Sequence, residues 1–187
     1  MKQDNAIKKT VTIAINAAIF VILSCLASIP IAPNVNIETA SPFLAFVAVL
    51  FGPFVGFYVG IIGHTIKDFI VFGNVFWNWI ICSGVIGFLY GLLQKIINLK
   101  YQSLNKKKIV GFWFYQVLVN LLVWGFLAPV SDLWIYHQPW QLVFCQGFLI
   151  VITNIIACSF IGIPLMLRYN RHYTHFVLQI SCNPITI

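Results

Sequence analysis

The chain is short of charge, and shortest of negative charge: its 187 residues hold eleven Lys and Arg but only four carboxylates, Asp4, Glu38, Asp68 and Asp132. Soluble domains carry roughly a quarter charged residues, whereas 8% of this chain is charged and 60% is hydrophobic. That contrast excludes a water-soluble globule. Polar linkers are lacking too. The longest polar connection is Lys95 to Lys108, which leaves no room for a soluble domain. The sequence Gly-x-x-x-x-Gly-Lys-Ser/Thr does not occur, so any ATP must be hydrolysed by another chain. The five cysteines, Cys25, Cys82, Cys145, Cys158 and Cys182, show no paired spacing, and four of them lie in apolar stretches. They read as small buried hydrophobes rather than as disulfides or metal ligands. Nothing in this composition asks for a cofactor, a metal or a nucleic acid.

What the chain has in quantity is apolar sequence in long blocks. Its mean hydropathy is +0.93, and Gln141 to Leu167 contains no Asp, Glu, Lys or Arg. A helix crosses a bilayer with about 20 apolar residues. Val11 to Ile29, Ile37 to Gly73, Phe76 to Leu93, Ile109 to Ser131 and Gln141 to Leu167 meet or approach that length. Lys8 and Lys9 before the first block resemble a signal peptide, but the block is longer than a signal core and more membrane follows, so it stays as the first helix.

Charge placement sets the number of crossings. Basic residues cluster at Lys2, Lys8 and Lys9, at Lys95, Lys100 and Lys106 to Lys108, and at Arg168 and Arg171. If all three clusters are cytoplasmic, an even number of crossings separates each pair. The block from Ile37 to Gly73 must then be two helices, and "LFGPFVG" supplies the break, with Gly52-Pro53 as a turn and Pro at the start of the next helix. The expectation is an all-α, multi-pass integral membrane protein with six transmembrane helices, both termini cytoplasmic, and helices 2 and 3 joined by a tight Gly-Pro turn. The helices fall at about 10–30, 39–51, 53–72, 76–97, 109–130 and 141–168. They form one domain over residues 1–175, with residues 176–187 as an unassigned tail.

The few polar side chains fall together. In "GHTIKD", His64 lies roughly 16 Å along the third helix from Pro53, and Lys67 and Asp68 lie a little over 20 Å along it. His64 and Asp68, four apart, share a face. Charges at such depth are costly unless paired or facing water, and so mark function or an internal ion pair. Trp77, Asn78 and Trp79 open the fourth helix at that level, Asn120 and Trp124 come from the fifth, and Gln146 and Asn154 come from the sixth. Buried amides need partners, and flat rings offer stacking surfaces. Together they describe a pocket open to the outside for a small, planar, polar molecule. The residues alone also allow a proton-coupled transporter or an intramembrane enzyme using His64 and Asp68, or a trio that only neutralises itself.

The stretch "PFLAFVAVLFGPFVGFYVGIIGHTIKDF", followed later by "APVSDLWIY" and "FCQG", resembles the substrate-binding S components of bacterial energy-coupling factor (ECF) transporters, over roughly residues 7 to 172. The resemblance implies a high-affinity binding subunit, not an enzyme, that takes a vitamin or vitamin precursor from outside. It implies a lid between helices 1 and 2, here carrying Asn34, Asn36 and Glu38. It also implies tilting against a coupling membrane subunit powered by two ATP-binding cassette ATPases. The Ala-x-x-x-Ala pattern that docks on that subunit in the family is matched by Ala14 and Ala18. The polar groups suit a hydroxylated heterocycle such as hydroxymethylpyrimidine, thiamine or a pyridoxine-like compound.

Overall fold

The computed structural model describes the backbone of residues 2–32 and 35–182 and the side chains of residues 4–31 and 36–173. Helix α1 (Lys2–Leu26) leads into strands β1 (Ser28–Ala32) and β2 (Val35–Glu38), then α2 (Ala40–Phe51), α3 (Pro53–Phe72), α4 (Trp77–Leu92) and the short α5 (Gln94–Ile97). Next, α6 (Lys106–Asn120), a π-helical stretch Leu121–Leu127 and α7 (Ala128–Tyr136) run on without a break. After residues 137–139, α8 (Trp140–Ala157), a second π stretch Cys158–Gly162 and α9 (Ile163–Cys182) form another unbroken rod. Five segments, Asp4–Leu26, Pro53–Phe72, Trp77–Ile97, Lys106–Tyr136 and Trp140–Tyr173, are long and apolar enough to cross a membrane, and the shorter Ala40–Phe51 is also apolar. The chain is an integral membrane protein of several helices.

Three boundaries differ from the expected ones, each for a local reason. Helix α1 stops at Leu26 rather than near 30, because β1 (28–32) and β2 (35–38) pair antiparallel, Ser28 with Glu38, Ile29 with Ile37 and Pro30 with Asn36. Pro30 supplies no N–H to a helix, but an edge strand tolerates it. The expected all-α membrane fold thus carries one small two-stranded sheet between its first two helices. The fifth and sixth helices, expected at 109–130 and 141–168, run instead through Lys106–Tyr136 and Trp140–Cys182. Pro129 and Pro164 would clash with the carbonyls of Gly125 and Phe160, four residues back. Both carbonyls lie in the π stretches, where the helix widens instead of ending: Ala128 N–H bonds Val123 O and Ile163 N–H bonds Cys158 O, five residues back. The rod runs on through residue 182, into the stretch left unassigned by the sequence.

Gly52 joins α2 to α3 at φ +101°, a conformation that a side chain would strain, and Pro53 opens α3. Short α2 is enclosed by its neighbours, with Ala40, Ala45, Val47, Ala48 and Val49 fully buried. The closest packing is between α3 and α4. Gly52, Gly56 and Gly60 recur every four residues on α3, as do Ser83, Gly87 and Gly91 on α4. A Cβ added at Gly56 would strike the carbonyl of Gly87, and one at Gly60 would lie 2.8 Å from the carbonyl carbon of Ser83. Small residues let two backbones touch where lipid supplies no hydrophobic drive to pair helices. At the far end from the hairpin, Asn170 of α9 donates to the carbonyls of Leu99 and Gln102, both at 2.8 Å, and accepts from Leu104 N–H at 2.9 Å. One side chain thus fastens the polar α5–α6 connection to the last rod.

Candidate functional site

A cavity of about 290 Å³ lies beneath the hairpin, walled by β2, α3, α4, the α6–α7 rod and α8. The glycine ladder sets the position of its charged wall. One turn beyond Gly60, His64 meets α4 and its Nδ1 hydrogen-bonds Ser83 Oγ. Its Nε2 lies 3.2 Å from Asp68 Oδ1, while Lys67 Nζ lies 3.1 Å from that same oxygen and 3.4 Å from His64 Nε2. Asp68, 1% exposed, also accepts the Phe76 N–H at 3.3 Å through Oδ2, which ties the α3–α4 turn to the trio. Lys67 is 4.0 Å from Glu38 at the end of β2, so the hairpin touches this wall through a charge pair. The three groups pair with one another and face the cavity as well.

Aromatic and amide groups from α4, the α6–α7 rod and α8 line the rest of the cavity. Trp79 and Trp124 stack with centroids 5.5 Å apart at 24°. The Trp79 indole donates to Asp132 at 3.0 and 3.1 Å, and Asn78 Nδ2 donates to Asp132 at 2.7 Å and to Ser131 Oγ at 3.0 Å. Asn120, fully buried, donates to Tyr90 Oη and to the Gln116 carbonyl, both at 2.8 Å. Gln146 and Asn154 complete this lining. The carbonyl oxygens of Asn78 and Asn120 are buried without a hydrogen-bond partner.

Of the residues expected at the site, His64, Lys67, Asp68, Trp79, Asn120, Trp124, Gln146 and Asn154 come together, with Asn36 and Glu38 above them. Trp77 does not join them: it is 59% exposed on the outside of the bundle. Residues two apart on a helix point nearly opposite ways, so Trp77 and Trp79 cannot both face the cavity. Asn78 stands behind the wall and holds Asp132 rather than lining the cavity. Asn34 lies outside the described residues. Ala14 and Ala18 are exposed on α1, beside the exposed Val11, Ile15 and Ile22.

Asp132 lines the cavity although the fifth helix was expected to end near residue 130, just before it. Ser83 and Tyr90 were also missed. The spacing Trp79, Ser83, Ile86, Tyr90 is a helical face that would have found them, and all four line the cavity.

Comparison with known proteins agrees with this architecture. A sequence model described as "ECF-type riboflavin transporter, S component" matches residues 4–171. A "UPF0397 protein" of Onion yellows phytoplasma (strain OY-M) is 62% identical over 183 residues, covering 98% of this chain and 99% of that protein. Proteins of the same name from Enterococcus faecalis (strain ATCC 700802 / V583) and Staphylococcus aureus (strain Newman) are 42% and 43% identical, each over 90% of this chain and over 93% and 92% of their own lengths.

Proposed function

Because the chain belongs to the family of ECF-type riboflavin transporter S components, and is thus a transporter subunit of the bacterial cell membrane rather than an enzyme, we propose that it captures a vitamin or vitamin precursor in the cavity under the hairpin. The observation that carries this reading is the presence of two unlike groups in one cavity: the trio His64, Lys67 and Asp68 on α3, and the stacked Trp79 and Trp124. A small flat heterocycle with hydroxyl or amino substituents satisfies both, by stacking and by charge-assisted hydrogen bonds. Hydroxymethylpyrimidine, thiamine and pyridoxine-like compounds are of that kind. Both chain ends are cytoplasmic in this reading, and the hairpin acts as a lid facing outward. A coupling membrane subunit and two ATP-binding cassette ATPases deliver the ligand as this subunit tilts.

Two experiments test it. Uptake of labelled thiamine or pyridoxine by vesicles holding the chain with the coupling subunit and ATPases should require ATP. Transport driven by a pH gradient across vesicles holding the chain alone would instead make it an autonomous transporter. Ala14→Trp, on the exposed face of α1 and far from the cavity, should keep ligand affinity within about threefold while lowering co-purification of the coupling subunit by about tenfold or more, since a bulky side chain blocks close helix approach. Full co-purification would remove Ala14 and Ala18 from the docking surface.

A further inference from the structure

The cavity is not balanced in charge. Glu38, Asp68 and Asp132 line it against one ammonium, Lys67, and one imidazole, His64. Both basic side chains sit against Asp68. Lys67 Nζ is 3.1 Å and His64 Nε2 3.2 Å from Asp68, and Glu38 is the next carboxylate, 4.0 Å from Lys67. Asp132, 6% exposed, has as its hydrogen-bond donors the neutral Asn78 amide and Trp79 indole. Among the described residues, no Lys, Arg or His is paired with it. Even a protonated His64 therefore leaves one carboxylate without a counter-charge. A buried, unpaired charge is costly and marks a place where a ligand supplies the partner.

Asp132 is also part of the stacking surface. The Trp79 N–H that it accepts holds the indole in its place against Trp124, so one carboxylate and two parallel rings form a single unit. Tryptophan faces attract cations as well as flat rings. The neighbouring Asn120 adds to the surplus of acceptors. Its amide nitrogen is committed to Tyr90 and Gln116, which fixes its orientation, and its oxygen is left without a partner.

We infer that the cavity selects a flat aromatic ligand bearing a positive charge, its ring against Trp79 and Trp124 and its cationic or amino-substituted end at Asp132, which makes Asp132 the residue that sets ligand charge. This rests on the capture role proposed above. An uncharged flavin-type ring would meet the same stack but leave Asp132 uncompensated.

The test uses the full chain in lipid nanodiscs and follows tryptophan fluorescence with two probes, thiamine, a fixed cation with an aminopyrimidine ring, and riboflavin, which is uncharged. Thiamine should bind the tighter. Asp132→Asn, which still accepts from Asn78 and Trp79, should weaken thiamine by about thirtyfold or more, the usual effect of removing one partner of a buried charge pair, and leave riboflavin within about threefold. Asp132→Glu should restore part of the loss. Riboflavin binding as tightly as thiamine, or thiamine unmoved by Asp132→Asn, overturns the charge selection while leaving the capture role standing. Failure of the wild-type chain to bind either probe overturns the inference too, and ATP-driven uptake with the coupling subunit then decides separately whether the capture role survives. If Asp132→Asn does not fold, the wild-type preference between the probes, together with Asp132→Glu, still decides the matter.

Discussion

Replacing Gly87 with valine should remove a large part of the bundle's stability and lower the temperature at which it unfolds. The new Cβ would stand 2.7 Å from the carbonyl carbon of Gly56 and 3.3 Å from the backbone nitrogen of Phe57. Both are backbone atoms inside a helix, so no rotamer change makes room, and α3 and α4 must part along their whole contact. Overpacking a core costs about 1–3 kcal/mol even where side chains can shift. Here the cost is expected to reach or exceed the top of that range, against a total stability of about 5–15 kcal/mol. Lipid offers the separated helices an equally apolar partner, so nothing pulls them back together. Thiol-reactive dyes measure this directly, because Cys82 and Cys158 are free and buried. Gly87→Val should expose both at a temperature where the wild type protects them. Gly111→Val, at a glycine with nothing within 4 Å of an added Cβ, should behave like the wild type. A Gly87→Val protein that elutes as a sharp monomer with unchanged thermal stability would mean that α3 and α4 do not need their close approach.

Asp68→Ala is expected to be the most damaging change among the polar residues, and to act on the fold before it acts on ligand binding. The carboxylate is the shared acceptor for His64, for Lys67 and for the Phe76 N–H. Deleting it leaves an ammonium beside an imidazole and an unpaired N–H in a site that is nearly closed to solvent. Removing one partner of a buried pair typically costs about 3–5 kcal/mol, chiefly because the other charge stays behind. Lys67→Met alone should cost less, since His64 still pairs with Asp68. Adding Lys67→Met to Asp68→Ala should recover much of the loss, because the stranded charge is gone. The thermal stability of the two single variants and the double variant forms a cycle whose coupling measures the pair. Additive losses would mean that Lys67 and Asp68 ignore each other despite their 3.1 Å separation.

Much of this was readable in the chain, and the exceptions share a cause. Scarcity of charge forced a lipid solvent, and Gly52-Pro53 marked the break between α2 and α3 without any structural knowledge. The clustering of His64, Lys67 and Asp68 with Trp79, Asn120 and Trp124 followed from depth along helices. The hairpin over residues 28–38 was not legible, because four or five residues per strand with prolines among them carry too little alternation to stand out from a loop. The glycine ladder was visible as a spacing, but small residues every four positions do not reveal which helix they face. Trp77 was misplaced because a cluster of aromatics at a helix start has no direction until the rotation of the helix is known. Asp132 was lost because the fifth helix was expected to end near residue 130, whereas a bundle in lipid keeps its backbone bonded and widens around the Pro129 ring.

That widening also changes the phase of the helix. Asn120 and Asp132 are twelve residues apart, and a regular α-helix would rotate them by roughly 120° relative to each other, far enough to put them on different walls. The π stretch Leu121–Leu127 takes about one extra residue into its turn and so cancels most of that angle. Asn120, Trp124 and Asp132 then look into the same space. The face turned to the cavity is thus set by a phase shift in the turn that precedes Pro129, a residue that does not itself line it.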